Sequence, residues 1–241
     1  MKRGLRGISG NYYCGLHEFS DMAFMMHYLR PGDLFVDVGA NAGSYTVLAA
    51  AECGANVMAF EPVPETFYWL KKNIQLNGIE QLVDARQVAI AAEKGQAFFT
   101  TNLDAQNHFS DRANTDSMQV EVKTLDDVLD GLSPNCIKID VEGFEAGVFI
   151  GGQATMRSDC LKVVVLETRP ETQIKVDGEW ITIHQWMLHL GFEAGSYNPK
   201  NRTLSRLKGI EEANTIYFKN RNELQERLKQ ATPKTIWNKR I

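Results

Sequence analysis

Asp37, Glu61 and the pair Asp140 and Glu142 each close a short apolar run, the position at which strand ends meet ligands in open sheets. Asp37 begins the spacing DxGxNxG, with Gly39, Asn41 and Gly43 at its fixed positions. The glycines let backbone N–H groups approach a ligand, and the helix opening near Ser44 turns its positive end toward negative charge. The spacing differs from the GxGxxG of dinucleotide folds, because Asn41 stands where a glycine would admit a pyrophosphate. A carboxylate plus an amide suits the zwitterionic tail of an amino acid better. An ordinary strand-to-helix turn, with Asp37 capping the helix, would use the same residues. Glu61, followed by Pro62, comes after Asp37 at close to the ~20-residue offset at which an acid reaches ribose hydroxyls. A carboxylate there accepts from both hydroxyls and repels a 2′-phosphate, which argues against NADP.

Asp140 and Glu142 are one residue apart at the end of another apolar run, and carboxylates in such a setting need partners. They are expected to face the crevice of Asp37, where they could orient a hydroxyl, take its proton, hold an amino group or bind a divalent cation with Glu167 as a third oxygen ligand. No metal is assigned. His108 lies in a long polar stretch within residues 91–124 and is a candidate proton acceptor, with an ordinary surface histidine as the plainer alternative.

The elements that must carry these residues follow from apolar spacing. Residues 34–38 read as a buried strand, 44–51 as a helix with Tyr45, Val47, Leu48 and Ala51 on one face, and 56–60 as the second strand. A helix over 64–76 stops at Asn77-Gly78. Residues 82–90 read as the third strand, 95–101 and 119–123 as extended segments of an insertion, and 124–129 as a short helix capped by Thr124. Strands over 136–141 and 161–167 are expected, with a helix over 145–156 between them and a helix over 180–190 that places His184 in the core. Residues 192–197 and 215–219 then form an antiparallel pair, and a charged helix runs from 222 to about 230. Ahead of all this, an apolar helix over 19–29 covers the sheet, with Tyr13, His17 and Glu18 just before it.

Composition sets the class. A chain of 241 residues, 44% apolar and 23% charged, holds one α/β domain with a sizeable core. A formal charge of −4 disfavours nucleic acid as the main partner. No apolar run approaches the ~18 residues of a membrane span and no signal peptide is evident, so the expectation is a cytoplasmic protein without membrane partner. Cys14, Cys53, Cys136 and Cys160 lack metal-ligand spacing and read as reduced thiols. The organisation expected is a covering segment over 1–32, a catalytic domain over 33–220 containing the 91–124 insertion, and a C-terminal helix and tail over 221–241. In that tail Trp237 could serve a subunit contact of a homodimer, with a frayed terminus as the plainer alternative.

FVDVGANAGSYT at 35–46, FEPVPETF at 60–67 with Asn73 beyond it, and KIDVEGFE at 138–145 together resemble the FkbM family of S-adenosylmethionine (SAM)-dependent methyltransferases. The likeness spans roughly residues 12–218. It implies a Rossmann-like, seven-stranded class I methyltransferase sheet, mostly parallel with its last strand antiparallel and helices on both faces. It also implies methyl transfer from SAM to a hydroxyl of a small molecule, sugar or natural product. The residues expected around SAM are Asp37, Gly39, Asn41, Gly43, Tyr45, Glu61, Pro62 and Asp140. Asp140, Glu142 and His108 are expected at the reaction, and Glu18 and Tyr13 on the substrate side. No acid stands at the end of the third strand, where Val88, Ala89 and Ile90 follow, so adenine is expected to be recognised by backbone groups and apolar sandwiching. The competing readings are an NAD-dependent oxidoreductase on a related sheet, disfavoured by Asn41, and a SAM-binding protein without catalysis.

Overall fold

The computed structural model describes residues 15–100, 109–110, 117–207, 213–236 and 239–240. Helix α1 (Phe19–Tyr28) precedes strand β1 (Leu34–Val38), and α2 (Ser44–Val47) runs on into a wider π turn at Leu48–Glu52. Then follow β2 (Asn56–Phe60), α3 (Pro64–Leu76), β3 (Val83–Arg86), β4 (Ala89–Ile90), β5 (Gly95–Thr100), β6 (Phe109–Ser110) and β7 (Ser117–Lys123). The second half holds α4 (Leu125–Leu129), β8 (Cys136–Ile139), α5 (Glu145–Gly151), α6 (Gln153–Arg157), β9 (Val163–Thr168), β10 (Gln173–Val176) and β11 (Glu179–Thr182). It continues with α7 (Ile183–His189), β12 (Glu193–Asn198), β13 (Thr203–Arg206), β14 (Ala213–Phe218) and α8 (Arg221–Lys229), and ends with β15 (Thr235–Ile236) paired antiparallel to β16 (Lys239–Arg240). Among the described residues no helix is long and apolar enough to cross a membrane.

The main sheet has the order β13-β12-β14-β9-β8-β1-β2-β3. Its β9-β8-β1-β2-β3 stretch is parallel throughout, and β14 runs antiparallel to both β9 and β12. This is a class I methyltransferase sheet with one strand more than the seven expected. The addition is β13, which folds back on β12 as an antiparallel edge hairpin through a turn where Arg202 takes a positive φ of 54°. The antiparallel pair expected near the C-terminus is present as β12 and β14.

Because both faces are covered, the central strands are apolar throughout, and their side chains divide by strict alternation. Phe35, Val57, Ala59, Cys136, Val163 and Val165 point to the face covered by α1, α2, α3 and α8. Val36, Val38, Met58, Phe60, Ile137, Ile139, Val164 and Leu166 point to the face covered by α4, α5, α6 and α7. The same alternation, continued to the strand tips, sends Asp37, Glu61, Lys138, Asp140 and Glu167 all to the first face.

Three expected elements differ. The run at 82–90 is two strands: after Arg86 the chain leaves the main sheet, and Ala89 and Ile90 pair with Val122 and Lys123 of β7 in a second sheet of order β4-β7-β5-β6. The apolar residues after Arg86 thereby find a strand edge and a small core of their own, with Ala89 against Val63, Val120 and Val122. The helix at 145–156 is interrupted at Gly152, where a Cβ would stand 2.8 Å from a Leu125 methyl, so close packing on α4 excludes any side chain there. Residues 180–182 are strand, because Asp177 and Gly178, both at positive φ, turn β10 into β11 as a hairpin. The helix therefore starts later, at Thr182, whose side chain forms a capping box with Gln185. Asp-Gly and Thr-x-x-Gln were both readable as turn and cap. His184 is half-buried, not in the core, with its Nδ1 3.1 Å from the Tyr217 hydroxyl, and Leu188 of the same expected face is exposed.

Candidate active site

The strand order reverses between β1 and β8, and a cavity of about 290 Å³ opens at the carboxyl ends there. It is lined by the tips of β1, β2, β8 and β9, by the 88–90 segment, and by His17 and Glu18 ahead of α1. Lateral register explains which residues meet. Ala59, Asp37, Lys138 and Val165 lie side by side across β2, β1, β8 and β9. Two residues further along, on the same face, the next row is Glu61, Gly39, Asp140 and Glu167.

Gly39 makes that row possible. It has φ +84°, and a Cβ on it would lie 1.8 Å from the Asp140 carbonyl oxygen. Asn41 takes φ 50° and accepts from the Ala42 N–H through its own side chain at 2.6 Å, holding the turn in a left-handed conformation. Its backbone N–H donates to Glu61 Oε2 at 3.0 Å, while the Val63 N–H donates to Oε1 at 2.9 Å. Glu61 is thus fixed by one backbone donor on each oxygen, with lone pairs remaining for the cavity. Burial pushes its carboxyl up to about 7, although both N–H groups pull it down. Pro62 lines the cavity beside it. Gly43 lies behind the turn: its φ is +93° and a Cβ there would run into Leu70 of α3 at 2.6 Å, so it serves packing and is not among the cavity-lining residues.

Asp37 is 1% exposed and accepts from the Thr46 hydroxyl at 2.6 Å. Burial raises its pKa against the opposing pull of Lys138. Lys138 itself, 3% exposed on β8, places Nζ 2.6 Å from Asp140 Oδ2 and 4.7 Å from the centre of the Tyr45 ring. Burial would lower its pKa, but Asp140, Glu18 and Asp37 outweigh that and raise it. The Tyr45 hydroxyl donates to Glu18, which also lies 3.5 Å from His17 Nε2. Burial acts to raise Glu18, yet His17, Lys138 and Tyr45 together bring it down to about 2.

Glu142 stands exposed at the cavity rim with φ 51°, followed by Gly143 at φ 100°, and Glu145 accepts from the Gly143 N–H at 2.9 Å to close the turn. Val88, Ala89 and Ile90 form an apolar wall with Phe60 and Val63. Tyr13 and His108 lie outside the described residues. Among the described residues no group of three His, Cys, Asp or Glu side chains is placed to hold a metal ion. The lining therefore holds six carboxylates, Glu18, Asp37, Glu61, Asp140, Glu142 and Glu167, with Lys138 and His17 as its basic members.

The description "Methyltransferase FkbM domain" matches residues 37–194, well over half of the chain and the whole span from the first strand-tip acid past the fifth. This chain belongs to the FkbM methyltransferase family. The FkbM relatives include 31-O-demethyl-FK506 methyltransferase FkbM of Streptomyces tacrolimicus, 39% identical over 36% of this chain and 34% of that protein. Hexuronic acid methyltransferase AglP of Haloferax volcanii is 29% identical over 52% of each. The chain thus spans between a third and about half the length of these two relatives. The crystal structure of methyltransferase FkbM from Methylobacillus flagellatus covers 77% of this chain and 43% of its own at a TM-score of 0.49 and 13% identity.

Within this FkbM domain, spacing alone missed Lys138 and the supporting role of Asn73. A lone lysine inside the buried run CIKI, two residues before Asp140, was the available signal, since alternation puts the two on one face and a buried ammonium needs anions. Asn73 on α3 donates to the Ala42 carbonyl at 2.8 Å and so ties the helix to the glycine turn. Asn73→Ala is expected to cost about 1 kcal/mol, measured by urea unfolding, with the turn loosened.

Proposed function

We propose that this chain is a SAM-dependent O-methyltransferase acting on a hydroxyl of a small molecule or sugar. The observation that carries the reading is Glu61, held by the Asn41 and Val63 N–H groups at a strand tip with its free lone pairs toward the cavity. A cis-diol needs such a double acceptor. The neighbouring carboxylates fit a ligand with a cationic sulfonium and an ammonium, and the apolar wall at 88–90 with Phe60 fits a nucleobase. When bound, SAM supplies an electrophilic methyl group on a positively charged sulfur.

The chain's residues then have separable tasks. Glu61 would hold the ribose, and Asp37 with the glycine turn would hold the amino acid tail. Asp140, Glu142 and Glu167 face the space from which a hydroxyl must approach in line. Holding the two reactants in that geometry supplies roughly 7–11 kcal/mol of barrier reduction, and a proton acceptor adds typically 10²–10⁴-fold. Positioning therefore dominates. The 31-O in the name of the Streptomyces relative supports an oxygen acceptor here, and the hexuronic acid of the Haloferax relative supports a sugar.

The test is transfer of labelled methyl from SAM to a panel of hydroxylated acceptors, with the product's O-methyl position read by NMR. Binding of NAD in preference to SAM, or transfer only to nitrogen or carbon, would overturn the reading. A pH dependence follows from Glu61. With its pKa at about 7, protonation below that value removes one acceptor from the diol site, so SAM affinity is expected to fall by up to tenfold per pH unit below about 7. Calorimetric titrations between pH 5.5 and 8 check this, and a flat Kd would contradict it.

A further inference from the structure

We propose that Glu167, at the tip of β9, is the residue that receives the acceptor hydroxyl's proton, and that it shares a proton with Asp140 until a cationic ligand enters the cavity. The inference rests on the SAM reading above and assigns a role that spacing did not suggest. Its basis is the register. Lys138 pairs with Val165, so Asp140 and Glu167 are neighbours on adjacent parallel strands, on one face, and their carboxyl groups are in hydrogen-bonding contact. Adjacent parallel strands are about 4.8 Å apart, and two carboxyl groups that close hydrogen-bond only through a shared proton.

The other carboxylates are already committed. Glu61 is held by two backbone donors and Asp37 by Thr46. Glu18 is bonded to Tyr45 and is brought down to about 2. Asp140 has Lys138 Nζ against Oδ2 at 2.6 Å, so a proton arriving there would displace an ion pair. Glu142 lies on the exposed turn beyond the strand tip. Glu167 is exposed as a residue and lines the cavity, yet desolvation of its carboxyl and the charge of Asp140 push it up to about 8, with Glu142 adding to the rise and Lys138 opposing it. Once ionised, a carboxylate on the cavity wall is placed to take a hydroxyl proton.

The charge of the methyl donor empties it. A sulfonium and an ammonium among Asp140, Glu142, Glu167, Glu18 and Asp37 favour every ionised carboxylate, so the shared proton leaves to solvent on binding. In the transfer itself the acceptor's O–H bond breaks, with its proton going to a Glu167 oxygen. The hydroxyl oxygen forms the bond to the methyl carbon, while the methyl–sulfur bond breaks and its electron pair stays on sulfur. The product sulfur is neutral, which restores the free-state preference of the Asp140 and Glu167 pair for a proton.

Binding of SAM and of S-adenosylhomocysteine is measured by calorimetry at pH 7 in two buffers of different ionisation enthalpy. The protein is used as wild type and as Glu167→Gln, and Asp140→Asn serves as a second variant. Wild type is expected to release roughly half a proton or more beyond Glu167→Gln on binding SAM, and distinctly less with S-adenosylhomocysteine, which lacks the sulfonium charge. Asp140→Asn is expected to lose the same excess. Equal release by wild type and Glu167→Gln overturns the proposal, as does equal release with the two ligands. Failure of SAM to bind any of the three proteins overturns the SAM reading instead. With an acceptor in hand, Glu167→Gln is expected to lower kcat by 10²-fold or more with the Kd for SAM within about threefold. An unchanged kcat sinks the assignment.

Discussion

Glu61→Gln is expected to weaken SAM binding by about 10²-fold while the protein remains folded. The ribose site depends on one carboxylate accepting from two hydroxyls, and charge-assisted hydrogen bonds contribute about 1.5–3 kcal/mol each, part of which an amide oxygen keeps. The amide also turns its NH₂ toward one of the Asn41 and Val63 N–H groups that now donate to Glu61. That donor–donor clash costs about 1–2 kcal/mol of stability, so circular dichroism and a melting curve accompany the affinity measurement. Glu61→Ala leaves both N–H groups without a partner and is expected to weaken SAM binding at least as far. A Kd for SAM unchanged in Glu61→Gln would remove the ribose assignment and with it the observation on which the proposed function rests.

Lys138→Met is expected to lower stability by about 2–4 kcal/mol at pH 8. Its side chain is 4% exposed and pairs with an Asp140 that is 25% exposed, so the loss leaves a partly buried carboxylate facing Glu18 and Asp37 with no cation between them. In a chain of this length the melting temperature falls by roughly 2–4 °C per kcal/mol. The pH dependence has a definite sign. Carboxyl groups that lose their lysine gain folded-state pKa values above the unfolded ones, and acids raised in this way favour folding at low pH. The deficit is therefore largest above about pH 7 and shrinks as pH falls toward 5. A deficit that grows on acidification would contradict the account. Tyr45, whose ring lies under Nζ, also loses its contact, so the latch from Glu18 is expected to loosen and expose the cavity.

The geometry also gives the cavity an electrostatic logic. Six carboxylates line a cavity whose one buried lysine is paired with Asp140, a surplus of negative charge that favours a cationic ligand. Burial raises Glu61, Asp37 and Glu167, with neighbouring carboxylates adding to the rise, whereas Asp140, Glu18 and Asp37 raise Lys138 against its burial. On the proposed function, a methyl donor that arrives positively charged and leaves neutral would be matched to it, with the reactant held more firmly than the product.

Much of this was legible in the chain. Asp37 with its glycine turn, Glu61 after β2 and Asp140 with Glu142 after β8 were each marked by a local event, an apolar run ending in an acid or a glycine. Local events are written in propensity and period, so the sequence by itself determined the strand tips, the helices at 19–28 and 64–76, and the class of sheet. It could not give the partnerships across strands. Lys138 among carboxylates, the bond from the Tyr45 hydroxyl to Glu18, Gly43 turned to packing and the added edge strand β13 were all decided by the tertiary structure. The physical reason is that lateral register is set by how whole layers of side chains pack on the two faces of the sheet. No spacing between two residues along the chain records which of them that packing will bring together.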